Sequence, residues 1–165
     1  MPKTIQGSPA NGRGPIAIVV ARYNEGVTGN LLGGALGTLR EQGVPEDQIT
    51  AVWVPGAWEV SVVADRLARS GHYRAVICLA AVIRGETTHD QYINQQVSHS
   101  LGRLAVKTGV PVLFGVLTCQ NLEQAIQRSG GRVGNKGSEC ALAALEMVDV
   151  LAQLDGSQSS PKPSP

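Results

Sequence analysis

The chain has 165 residues, enough for one ordinary domain that buries a core without disulfides or a structural metal. Lys plus Arg total 14 against 13 Asp plus Glu, a net charge of +1, so no long-range field draws the chain to nucleic acid or to an anionic membrane. With 42% hydrophobic residues it is too apolar to be a disordered chain.

Residues 1–14 are rich in Gly, Pro, Ser and Asn and read as a loose arm, ahead of a domain over 15–155. Pro15 to Ala21 is an unbroken apolar run of strand length, the pattern of a strand buried on both faces of a parallel sheet. Thr28 to Gln42 carries leucines at 31, 32, 36 and 39, a helical stripe that Gly43 ends. Its internal glycines weaken the isolated helix, so it needs close packing. Ile49 to Val54 is a second strand, punctuated by Pro55-Gly56. Trp58 to Ser70 is a helix with Val62, Val63 and Leu67 on its apolar side, ended by Gly71. Arg74 to Ala81 is the third strand, His89 to Thr108 a long helix, and Pro111 to Thr118 the fourth strand. Leu122 to Ser129 is a short helix and Gly137 to Leu154 the last one. The tail from Gly156 to Pro165 is Ser/Pro-rich and expected to be disordered.

Strands separated by helical crossovers run parallel with right-handed connections. The expected fold is therefore α/β: a three-layer α/β/α sandwich on a four-stranded parallel sheet, flavodoxin-like in outline.

In such a sheet ligands bind beyond the carboxyl ends of the strands. Those ends are Arg22-Tyr23-Asn24-Glu25, Pro55-Gly56-Ala57-Trp58-Glu59 and Arg84-Gly85-Glu86-Thr87-Thr88-His89, with Phe114 on the strand leading to Thr118. Tyr23, Trp58 and Phe114 offer stacking surface for a flat heteroaromatic ligand, or simply pack between helix and sheet. Gly85 admits a close ligand, Thr87 and Thr88 offer hydroxyls and cap chemistry, and a helix N-terminus favours anions. That stretch reads as a phosphate seat or as an ordinary capped helix start; it lacks the Walker A pattern. His89 beside it has an imidazole suited to proton transfer near neutral pH. His72 reads as a solvated turn residue and His99 as a packing or polar-face one. Arg128, Arg132 and Lys136 share a glycine-rich turn, which either closes over an anion or stays a solvated loop.

Cys78, Cys119 and Cys140 form no C-x-x-C pair, which points to buried thiols rather than a disulfide framework or a zinc site. Residues 1–14 contain no apolar core of a secretory signal, and no apolar run approaches the ~20 residues that span a bilayer. A cytoplasmic protein, bound neither to membrane nor to nucleic acid, is expected.

Taken together, six segments from Pro15 to Leu154 resemble the 6,7-dimethyl-8-ribityllumazine synthase family, in order and in spacing. They are Ala21-Arg22-Tyr23-Asn24, Val54 to Glu59, Val82 to His89, Phe114 to Thr118, Glu123 to Gly130 and Gly134-Asn135-Lys136-Gly137. The resemblance implies condensation of 5-amino-6-(D-ribitylamino)uracil with 3,4-dihydroxy-2-butanone 4-phosphate, without cofactor or metal. It implies His89 in proton transfer and Tyr23 stacked on the pyrimidine. Asn24, Gly56, Ala57, Trp58 and Glu59 would hold the ribityl chain, with Val82 and Ile83 giving backbone contacts to the ring. Gly85, Glu86 and Thr87 would hold the phosphate, paired with Arg128. Phe114, Arg128 and Lys136 would come from a neighbouring subunit of a pentamer. The short turn at 130–137 leans toward a 60-subunit shell, and riboflavin synthase is a candidate partner. Tyr23 stands where the family more often has Phe or Trp, Trp58 where Phe is common, and Asp90 where an aromatic residue is frequent. A carboxylate after His89 either raises the imidazole pKa or favours the helix N-terminus. The competing readings are a flavin- or lumazine-binding module without turnover and a shell protein that has lost catalysis.

Overall fold

A computed structural model describes residues 1–158 of the chain. Six strands and five helices follow one another as β1 (Ile16–Ala21), α1 (Glu25–Glu41), β2 (Ile49–Val54), α2 (Ala57–Arg69), β3 (Ala75–Ile83), α3 (His89–Thr108), β4 (Val112–Cys119), α4 (Leu122–Arg128), β5 (Ser129–Gly131), β6 (Gly134–Asn135) and α5 (Lys136–Gln158). The four long strands form a parallel sheet in the order β2-β1-β3-β4. The expected α/β/α sandwich is therefore present.

The burial pattern explains the layering. Side chains alternate across a strand. Ile16, Ile18 and Val20 of β1 and Ile77 and Leu79 of β3 face α1 and α5, where Leu31, Ala35, Leu39, Ala144 and Leu145 meet them. Ala17 and Val19 of β1 and Val76, Cys78 and Ala80 of β3 face α2 and α3, against Val60, Ala64, Val97 and Leu101. Every residue of β1 is buried, as the unbroken apolar run requires of a central strand. Trp53 on edge strand β2 and Phe114 on edge strand β4 remain exposed.

Four local features differ from expectation. Helix α1 begins at Glu25, three residues before Thr28, because Asn24 takes a left-handed conformation and its carbonyl accepts from the Val27 and Thr28 amides. Strand β3 continues past Ala81 to Ile83, because Val82 and Ile83 pair with Thr118 and Cys119. Val62 points outward from α2, while Val60, Ala64 and Ala68 take the buried side. The glycine-rich turn is organised by a small antiparallel pair, β5 with β6, and α5 starts directly from it. There the Asn135 Oδ1 accepts from the Gly137 and Ser138 amides at 2.8 and 3.2 Å, and its Nδ2 donates to the Asn30 carbonyl at 3.0 Å. A Cβ at Gly137 would meet the Leu31 carbonyl, so only glycine lets α5 approach α1 this closely.

Parts of residues 1–14 touch α5. The Ser8 amide donates to Asp149 at 2.9 Å and Gln153 donates to the Gln6 carbonyl at 3.0 Å. Helix α5 passes the expected end at Leu154, and the remainder of the expected tail, 159–165, lies outside the described residues. Among the described residues no helix is long and apolar enough to cross a membrane.

Candidate active site

Strand order reverses between β1 and β3, the position where open α/β sheets form a crevice. Its depth has a simple cause. Pairing of β1 with β3 ends at Val20 and Leu79, and β1 stops at Ala21, whereas β3 runs on to Ile83. The side of β3 that β1 would cover is thus open from Ala81 onward. A cavity of about 560 Å³ occupies the space.

Each wall comes from a strand end. Tyr23 follows β1; Gly56, Ala57, Trp58 and Glu59 open α2; Val82 and Ile83 end β3; Gly85 and Thr87 lie in the next loop; His89 opens α3. These ten expected residues line one cavity, together with Pro55, Ala81, Asp90 and Ile93. Asp90 and Ile93 were not expected as site residues. The signal was available, since residues 89, 90 and 93 fall on one side of a helix.

The aromatic walls are open to solvent, Tyr23 at 74% exposure and Trp58 at 54%. Exposure of that size favours the stacking reading over packing between helix and sheet. The Tyr23 backbone is held by its amide, which donates to the Pro55 carbonyl at 3.0 Å. Glu59 folds back toward the backbone at Gly56, where a Cβ would lie 3.1 Å from its Oε2. A Cβ at Gly85 would meet nothing within 4 Å, so the room in front of that glycine faces the cavity rather than protein.

Helices α2 and α3 both begin at the cavity, and neither N-cap, Gly56 or Thr88, places a side chain on the first-turn amides. The expected cap hydroxyl is instead supplied by Thr87, whose Oγ1 accepts from the His89 amide at 3.4 Å. Two positive dipole ends suit an anion at this mouth. His72 and His99 lie exposed and away from the cavity.

Five expected residues do not line it. Asn24 turns its amide to the Ala81 carbonyl, at 2.8 Å. Glu86 sits exposed in the loop between Gly85 and Thr87. Phe114 projects from edge strand β4. Arg128 ends α4, donating to the Gln124 carbonyl at 3.4 Å, and Lys136 pairs with Glu139 at 3.2 Å. Among the described residues no Lys or Arg lines the cavity.

The three thiols are buried, as expected, and burial pushes all three up in pKa, Cys140 to about 11. Raised pKa values favour the protonated thiol, the form that is not nucleophilic.

Stacking surface, imidazole and helix-end amides at one switch point coincide with a comparison over the whole domain: the family model for 6,7-dimethyl-8-ribityllumazine synthase matches residues 14–152. The chain belongs to that family. It is a transferase, a lumazine synthase of riboflavin biosynthesis.

Proposed function

We propose that the cavity condenses 5-amino-6-(D-ribitylamino)uracil with 3,4-dihydroxy-2-butanone 4-phosphate to 6,7-dimethyl-8-ribityllumazine. The observation that carries this reading is the meeting of Tyr23, His89 and the amide-rich Gly85–Thr87 loop around one cavity. The pyrimidine stacks on Tyr23, and its ribityl chain runs along Gly56 to Glu59. Backbone groups of Val82 and Ile83 meet the ring edge. The phosphate lies at the α3 N-terminus, against Gly85, Glu86 and Thr87.

The amine of the pyrimidine attacks the ketone carbonyl, and loss of water leaves an imine. Phosphate then leaves, and attack by the ribitylamino nitrogen closes the second ring with loss of another water. Each step moves a proton, and His89 is the group placed to move it. Alignment of the two substrates supplies much of the remaining rate, through entropy already lost on binding.

Among the described residues no Lys or Arg lines the cavity, and a cation there would strengthen phosphate binding. This supports a site completed by Arg128, Lys136 and Phe114 of a neighbouring copy in a pentamer. Closure of twelve pentamers into a shell in the cytoplasm extends the same reading.

The test is to mix purified protein with both substrates and follow lumazine absorbance. Product is expected, and phosphate release should match it mole for mole. A spectral shift of bound pyrimidine without product would overturn the reading in favour of a binding module.

A further inference from the structure

One polar group in the cavity is not used by the reaction just described. Asp90 stands in the first turn of α3 and lines the cavity beside His89. Its Oδ1 is buried and accepts no hydrogen bond within the described residues. Buried acceptors without a donor are rare in folded proteins, and each calls for an explanation. A position in the first helical turn suits a carboxylate electrostatically but supplies no donor to this oxygen.

The surroundings specify the missing donor. Glu59 places a second carboxylate in the same lining, and among the described residues no Lys or Arg lines the cavity. One turn beyond Asp90, the Asn94 Oδ1 is also buried without a donor, and Ser61 on α2, which packs against α3, has a buried hydroxyl without a partner. Asn94 and Ser61 lie behind the lining, but the two carboxylates within it disfavour an anion beside them. They suit a neutral group with several O–H donors.

We propose that Asp90 is a specificity-determining residue: its buried Oδ1 accepts a hydrogen bond from a hydroxyl of a polyol chain that also contacts Glu59. This rests on the reading of the cavity as the seat of a ribityl-bearing pyrimidine. It assigns the carboxylates of Glu59 and Asp90 to the polyol and leaves the phosphate to the Gly85–Thr87 loop.

The test is steady-state kinetics of the full-length assembled protein, with each substrate varied in turn. Asp90→Ala should raise KM for ribitylaminouracil about 10- to 100-fold. KM for the butanone phosphate and kcat should stay within about threefold. Asp90→Asn keeps an acceptor and should recover most of the loss. An analogue with a propyl group in place of the ribityl chain should serve wild type and Asp90→Ala equally. An unchanged KM for ribitylaminouracil in Asp90→Ala overturns the proposal, as does an equal penalty with the propyl analogue. If Asp90→Ala does not fold, Asp90→Leu fills the space with an apolar group and gives the same comparison. If wild type forms no lumazine, the functional reading fails separately. Calorimetric binding of ribitylaminouracil to wild type and Asp90→Ala then decides, and equal affinity overturns the role of Asp90.

Discussion

The Nδ2 of Asn24 donates a 2.8 Å hydrogen bond to the carbonyl of Ala81, tying the end of β1 to the part of β3 that β1 no longer covers. Asn24 is the one non-glycine residue with positive φ among the described residues, at 63°. Its own carbonyl accepts from the Val27 and Thr28 amides at 2.9 and 3.0 Å. One residue thus starts α1, bridges two strands and, with the Tyr23–Pro55 bond, fixes where the Tyr23 ring stands.

Replacing Asn24 separates these roles. Asn24→Ala loses the bridge and adds left-handed backbone strain, a combined cost of about 1–3 kcal/mol. Asn24→Gly loses the bridge but tolerates the backbone, so it should destabilise less. Urea unfolding measures both, and KM for the pyrimidine substrate should rise in both as Tyr23 loses its anchor. Wild-type stability in Asn24→Ala would show that the bridge contributes nothing.

His89→Ala should lower kcat by about 10²–10⁴-fold, the usual contribution of a positioned acid/base. Turnover should remain measurable, because alignment of the substrates does not depend on the imidazole. Single-turnover kinetics with both substrates saturating isolates the chemical step. Full kcat in the variant would remove His89 from proton transfer.

The sequence made some of this architecture legible and hid the rest for physical reasons. Strands β1 and β3 are buried on both faces, so their apolar runs marked them without ambiguity. The start of α1 was not visible, because a left-handed Asn with no side-chain cap bond looks like any polar loop residue. Val62 matched an apolar side by identity alone, while the small residues Ala64 and Ala68 took the buried positions. The β5–β6 pair escaped because Gly130, Gly131 and Gly134 carry no strand pattern. Eight cavity residues were readable because strand ends in this topology converge, while Val82 and Ile83 followed only from the family resemblance. Asp90 was legible as a departure that either tunes His89 or suits the helix N-terminus, but its oxygen's lack of a donor appears only in three dimensions.

If the site is shared between copies, two impaired variants should complement each other. His89→Ala spoils the side that lines the cavity, and Arg128→Ala the side proposed to come from a neighbour. Arg128→Ala alone should raise KM for the phosphate substrate by about 10- to 100-fold, the loss of a charged hydrogen-bond partner. Unfolding the two variants together and refolding the mixture places intact His89 beside intact Arg128 in a fraction of interfaces. Activity above the sum of the separately refolded variants is expected. Strict additivity would place His89 and its phosphate cation on the same chain.

Cys140 gives the domain an alkaline limit. Its Sγ lies over Gly115, where a Cβ would stand 3.2 Å away, and burial is the main cause of its rise from 9.0 to about 11. Lys136 opposes that rise and Glu139 adds to it. The folded chain therefore keeps a proton that the unfolded chain releases. Stability should be independent of this group below pH 9.0 and should fall as pH climbs to about 11. A rise of that size is worth on the order of 2–3 kcal/mol. Cys78 is raised too, mainly by burial, so the slopes of the two thiols add. Cys140→Ala keeps a small apolar group on α5 and removes one titration. Urea unfolding under reducing conditions at several values between pH 8 and 11 should give a shallower decline for the variant than for wild type. Lysine and tyrosine titrations are common to both proteins and cancel in the difference. Parallel declines would mean that the Cys140 thiol titrates alike in the folded and unfolded chain.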